Sequence, residues 1–163
     1  MPWPARVYWV DAPAIGRLGV VSRPRSASAF AELKAQGIDV LVSLLEPGEA
    51  EDVGLADEAG HCERAGIAFI QLPITDHGIP SAVEPVERVV ADLTSRLARG
   101  QGIGAHCYAG LGRSPLLIAA VLIAHGLSAP EACELITTAR GHPVPERDTQ
   151  GRWLDDFEMR LRR

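Results

Sequence analysis

Lysine is almost missing from this chain. Lys34 is the only one among sixteen basic residues, so positive charge comes from arginine, and the formal net charge is −5. An acidic surface argues against nucleic acid as the main partner. Cysteine is sparse as well: Cys62, Cys107 and Cys133 show no Cys-x-x-Cys spacing and no nearby pair of histidines. That pattern gives no metal site of the zinc type, and an odd number of thiols suits a reducing compartment. No long apolar run exists. The longest, 116–124, is too short to cross a bilayer, so no membrane partner is expected. Met1-Pro2-Trp3-Pro4 lacks the basic start and apolar stretch of a secretory leader, and a cytoplasmic location is the expectation. Repeats, low-complexity tracts and linkers are also missing, so residues 1–163 read as one domain with ample length for a core.

Apolar runs alternate with helical periodicity along the whole length. Strands are expected over 7–10, 18–21, 39–45, 68–72 and 102–105. Helices are expected over 26–36, 51–65, 83–99, 115–124, 128–140 and 147–162. Val83, Val86, Val90, Leu93 and Leu97 recur at steps of three and four, and 116–123 is apolar on every side, as in a buried central helix. Ser128-Ala129-Pro130-Glu131 has the form of a capping box. Most of the expected strands are apolar on both faces. The expected fold is therefore α/β, a mainly parallel central sheet flanked by helices.

The chemistry is concentrated in His106-Cys107-Tyr108-Ala109-Gly110-Leu111-Gly112-Arg113-Ser114, which joins a strand to the central helix. Strand, tight loop and helix N-terminus in that order form an anion cradle. Backbone N–H groups of Tyr108, Ala109, Gly110, Leu111, Gly112 and Arg113 could turn inward onto phosphate- or vanadate-type oxyanions. A cysteine at the mouth of such a cradle is expected as a nucleophilic thiolate. An arginine at its far end offers a two-pronged grip on a tetrahedral oxyanion. Ser114 can cap the helix, with Pro115 in its first turn, or donate to the sulfur, or both.

The segment resembles the signature of the protein tyrosine phosphatase superfamily: His-Cys, five residues, Arg, then Ser or Thr. Gly110 and Gly112 inside the loop strengthen the match. Leu72-Pro73-Ile74-Thr75-Asp76-His77-Gly78-Ile79-Pro80 is similar to the general-acid loop of dual-specificity phosphatases, with Asp76 and Pro80 at the matching positions. Tyr8-Trp9-Val10, Gly16-Arg17-Leu18-Gly19, Arg23-Pro24-Arg25 and residues 37–44 resemble the small atypical members. The resemblance implies a cofactor-free, metal-independent phosphatase fold acting on phosphorylated protein or peptide. Cys107 would form a phospho-cysteine, Arg113 would hold the phosphate and Asp76 would act as general acid. It also gives His106 a structural role, through hydrogen bonds to loop carbonyls. His77 competes with Asp76, although a solvent-facing histidine without a role is the plainer reading. Arg140-Gly141-His142-Pro143 followed by Gln150 is similar to a family pattern in which a glutamine positions the hydrolytic water. An exposed helix residue is the other reading of Gln150.

Lysines inside the loop would suit highly anionic phosphoinositide, inositol phosphate or RNA 5′-end substrates, and this loop has none; a simple monoester such as phosphotyrosine is favoured. Sulfurtransferases tend to have shorter loops, and small arsenate reductases place the cysteine near the N-terminus, so neither fits. A non-catalytic phosphate-binding module is the remaining alternative.

Overall fold

The computed structural model describes residues 4–163; the leader reading at the extreme N-terminus falls outside this range. Five strands form one sheet in the order β1-β2-β5-β3-β4: β1 (Val7–Trp9), β2 (Leu18–Val21), β3 (Val40–Ser43), β4 (Ala68–Gln71) and β5 (Ile103–His106). Only β1 runs antiparallel, against β2. The pairs β2–β5, β5–β3 and β3–β4 are parallel. The three inner strands are buried along their whole length, which explains their unbroken apolar sequences.

Alternation along the strands divides the core in two. Leu18, Val20, Val40, Val42, Ile103 and Ala105 face one side, where α4 (Val83–Ala98), α5 (Arg113–Ala124), α6 (Ala129–Arg140) and α7 (Asp148–Leu161) contribute Val90, Leu117, Ile136 and Phe157. Val21 and Leu41 face the other, under α1 (Ser28–Ala35), α2 (Pro47–Asp52) and α3 (Glu58–Ala65). Helix α5 lies at the centre of the first layer, with every side chain from Arg113 to Ile123 buried. Cys62 belongs to the second core, on the opposite side of the sheet from Cys107. Burial, with Glu58 adding to it, pushes the Cys62 thiol up to about 12, and burial, with Asp155, pushes Cys133 up to about 11. Both behave as core residues.

Two local expectations change. The single helix over 51–65 is two helices. Pro47 opens α2 at its first turn behind a Glu46–Glu49 capping box, and Gly54 then takes φ +77°, a left-handed conformation that ends the helix before Asp57. Ser114 is not the cap of α5. Gly112 occupies that position, and the Ser114 side chain points elsewhere. The capping box at Ser128 forms as expected, with Glu131 N–H donating to Ser128 Oγ at 3.2 Å.

Parallel pairing has one decisive consequence. The C-terminal ends of β2, β5, β3 and β4 lie along one sheet edge. The segments that follow them therefore converge there and carry Arg23, Cys107, Glu49 and Asp76.

Candidate active site

The loop from Cys107 to Gly112 bends around the N-terminus of α5. Gly110 makes the turn at φ +72°, where a side chain would be strained. Three loop carbonyls are held from outside. Arg23 Nη1 donates to Tyr108 O at 3.0 Å, Arg140 Nη2 to Ala109 O at 3.2 Å, and Arg140 Nε to Gly110 O at 3.1 Å. Among the described residues, the N–H groups of Tyr108, Ala109, Gly110, Leu111 and Gly112 have no protein acceptor. Carbonyls fixed outward and donors left free make an anion cradle at a helix N-terminus.

Cys107 is almost wholly buried at the base of a cavity of about 190 Å3, whose wall also includes Asp76, His77, Tyr108, Leu111, Arg113 and Glu146. Ser114 Oγ lies 3.2 Å from Cys107 Sγ. His106 is fully buried. Its Nδ1 faces Cys107 O at 3.3 Å, and its Nε2 meets Glu58 Oε2, a carboxylate that is itself only 2% exposed. The helix dipole adds positive potential where the sulfur sits.

Arg113 is 1% exposed and its donors are heavily used. Glu49 grips it through both oxygens, Nη1 to Oε1 at 2.6 Å and Nη2 to Oε2 at 3.0 Å. Nη1 also donates to Ile74 O at 3.0 Å, and Nη2 lies 3.1 Å from Asp76 Oδ1. Burial by itself would lower the Arg113 pKa. The Glu49 hydrogen bond and the nearby Cys107, Glu49 and Asp76 more than offset this, and it lies above its ordinary value. The same hydrogen bond holds the Glu49 carboxyl below its ordinary value, against the opposing effect of burial. A guanidinium has five N–H donors in a fixed plane. With both Nη1 protons and one Nη2 proton committed, a two-pronged grip on phosphate must use Nε–H and the Nη2 proton now facing Asp76.

Asp76 lies in a β-turn closed by Gly78 N–H to Thr75 O at 2.8 Å. His77 takes the left-handed position of that turn at φ +58° and donates its N–H to Asp76 Oδ1 at 3.0 Å. His77 is solvent-facing, as in its plain reading, and it also has polar neighbours at the cavity. Its ring stands between two carboxylates, 3.6 Å from Asp76 Oδ2 and 3.4 Å from Glu146 Oε2, and it lines the cavity. Gln150 is not the exposed helix residue of one sequence reading. It is 1% exposed, and its side-chain amide donates to Gly78 O and accepts from Arg147 N–H. It fastens the turn carrying Asp76, and Glu146 is the residue whose carboxylate reaches the cavity. Gly112 allows that approach, since a Cβ there would collide with Glu146 Oε2.

Sequence reasoning missed Glu49, Glu58 and Glu146. A usable signal existed only for Glu49, an acidic residue just past the C-terminal end of a strand expected to be parallel to β5.

A mixed sheet whose central strand delivers a cysteine loop to a buried helix defines the cysteine-dependent phosphatase fold. The family model described as Tc-R-P, Polymorphic toxin system, DSP-PTPase phosphatase, matches residues 18–127. Protein tyrosine phosphatase PRL-1 of Leishmania major is 34% identical over 96% of this chain and 86% of its own length. The active form of Tk-PTP superposes with a TM-score of 0.80 at 28% identity, covering 98% of this chain and 99% of that one. Kinase associated phosphatase, with its catalytic-site cysteine replaced by serine, shares the fold at a TM-score of 0.89, with 23% identity over 99% and 98% of the two chains. The chain spans 16% of the mouse protein tyrosine phosphatase domain-containing protein 1 and 62% of human cyclin-dependent kinase inhibitor 3, which match 69% and 80% of it. The chain belongs to the DSP-PTPase family of the protein tyrosine phosphatase superfamily.

Proposed function

We propose that the domain hydrolyses phosphate monoesters, with phosphotyrosine in proteins as the favoured substrate, through a phospho-cysteine. The observation that carries this reading is the shared cavity: Cys107, the free loop donors, Arg113 and Asp76 line one small pocket. In the first step Cys107 Sγ attacks phosphorus and the bond to the ester oxygen breaks. Protonated Asp76 gives its proton to that oxygen, and the alcohol leaves. Loop N–H groups and Arg113 hold the equatorial oxygens as charge moves across them. In the second step water attacks phosphorus, the S–P bond breaks, and Asp76 takes the water proton. The Ser114 hydroxyl donates to the departing sulfur. Glu146 is the side chain placed to orient the water.

Phosphotyrosine is favoured because the cavity is small, about 190 Å3, and the exposed Tyr108 ring lines it. The test is hydrolysis of an aryl phosphate between pH 5 and 8 with a chelator present, in wild type and Cys107→Ser. Activity that survives the chelator and disappears in the variant, while the variant still binds vanadate, supports the reading. Normal turnover by Cys107→Ser would remove the nucleophile assignment. Vanadate binding by an inactive wild type would turn the reading to a phosphate-binding module.

A further inference from the structure

Among the described residues, His77 is the one non-glycine residue with a positive φ, +58°. A residue with a β-carbon is disfavoured there, and glycine would suit the turn without that cost. What the ring touches supplies a reason for a histidine. Its Nδ1 lies 3.4 Å from Glu146 Oε2, 69 positions away, and its Nε2 lies 3.6 Å from Asp76 Oδ2. Both distances are long, as catalytic contacts commonly are before substrate is bound. Glu146 stands just before α7, and Gln150 in the first turn of α7 donates to Gly78 O at 3.2 Å. The turn that bears Asp76 thus meets one segment twice, through the Gly78 backbone and through the His77 ring.

The Asp76 carboxyl has few holds of its own. Oδ1 accepts the His77 N–H at 3.0 Å and faces Arg113 Nη2 at 3.1 Å, while Oδ2 faces the His77 ring. Glu49 and Ile74 O take the other terminal donors of Arg113, so phosphate needs the Nη2 proton that Asp76 now faces. Phosphate binding therefore removes the Arg113 contact from Asp76 and sets an anion beside it. Among the described residues, the side-chain contacts left to Asp76 are then those with His77. The ring itself is half exposed, and its anchor Glu146 is set more deeply. Gly112 gives Glu146 the room to reach it.

We propose that His77 is a positioning residue for the general acid. Its ring, anchored on Glu146, holds Asp76 towards the leaving oxygen once phosphate has displaced the carboxyl from Arg113. The inference rests on the phosphatase reading above and on Asp76 as its acid. In this role His77 transfers no proton; it fixes the carboxyl that does. The anchor is also the carboxylate placed to orient water in the second step. Acid and water therefore share one support, and damage at either end of the His77–Glu146 contact shows in the step that needs the acid.

The test is a double-mutant cycle of His77→Asn and Glu146→Ala. Asparagine accepts the left-handed turn but is too short to span both carboxylates. Alcohol release from an alkyl phosphate is followed in a single turnover with enzyme in excess, which reports phospho-cysteine formation alone. Each single variant should slow this step about tenfold, a fraction of the about 10²–10⁴-fold that a general acid contributes. The double variant should be no slower than either one. An activated aryl phosphate, whose leaving oxygen needs no proton, should react with His77→Asn at the wild-type rate. His77→Gly, which also suits the turn, should reproduce the loss on the alkyl ester. Losses that multiply to about a hundredfold in the double variant overturn the proposal. So does full activity of either His77 variant on the alkyl ester, or an equal loss on both esters. A loss in His77→Asn beside full activity in Asp76→Asn also overturns it, by making His77 the acid itself. Should wild type hydrolyse no aryl phosphate, the phosphatase reading fails, and the contact is judged by hydrogen exchange at Gly78, whose N–H closes the Asp76 turn. Faster exchange in Glu146→Ala upholds the anchor; unchanged exchange overturns it.

Discussion

Glu49 holds both terminal nitrogens of the buried Arg113, across 64 positions of sequence, in a part-buried pair of hydrogen bonds. The pair fixes the plane of the guanidinium, and the plane decides where its remaining donors point. Glu49→Ala should therefore lower kcat by about 10²-fold, the scale of a displacement of about 1 Å at a reacting centre. Steady-state kinetics on an aryl phosphate checks this. A change confined to KM would mean that Arg113 keeps its geometry without Glu49.

The same pair sets an acid limit. The Glu49 pKa is lowered in the fold from an ordinary 4.5, chiefly by the Arg113 hydrogen bond. A depressed carboxylate contributes stability that is fully present above the unfolded value and is lost as pH falls through the folded value. The Tm of wild type should exceed that of Glu49→Gln by a constant margin above that ordinary value. Below it the margin should shrink as Glu49 takes up its proton. A margin that persisted unchanged at pH 3 would place the stabilisation elsewhere.

Asp76 occupies the Nη2 side of Arg113 that a phosphate oxygen needs. Asp76→Asn removes that competing charge as well as the acidic proton. Vanadate should bind the variant more tightly than wild type, by calorimetry or competition. Turnover should fall about 10²–10⁴-fold for alkyl phosphates, whose leaving oxygen needs a proton, and much less for activated aryl phosphates. Equal losses on both substrates would point to another acid, with His77 the neighbour to test.

Glu146 and Gln150 separate two roles that the sequence runs together. Glu146→Ala should slow hydrolysis of the phospho-cysteine more than its formation. A rapid burst of product should precede a steady rate about 10²-fold below that of wild type. Gln150→Ala should act through the turn that bears Asp76, and it should produce no burst. A burst in the second variant and none in the first would exchange the assignments.

Glu58 lies behind the loop and touches no substrate. Its partner His106 is fully buried, so removing the carboxylate leaves a ring nitrogen unsatisfied. Glu58→Ala should destabilise the domain by about 1–3 kcal/mol in urea unfolding. Glu58→Gln should recover part of that loss by keeping an acceptor. A neutral Glu58→Ala would show that His106 finds another partner.

The strands of the inner sheet are buried on both faces, and their apolar runs located them to within a residue or two. The Cys107–Arg113 spacing, with its glycines, was visible for a related reason: a tight loop around a helix end depends on neighbours in sequence. The break between α2 and α3 was missed because Gly54 lies inside a helical period, and its left-handed φ is fixed only once Leu55 turns back into the core.

Sequence alone determined most of the elements, the cysteine loop and a carboxylate on the loop after β4. Tertiary structure decided which carboxylate holds Arg113, which one supports His106 and which one enters the cavity. Local patterns encode period and turn chemistry. They do not encode which distant loops meet at one edge of the sheet, because that follows from the strand order β2-β5-β3-β4 and its parallel register. Glu49, Glu58 and Glu146 look alike in the sequence; their different surroundings arise only where those loops converge.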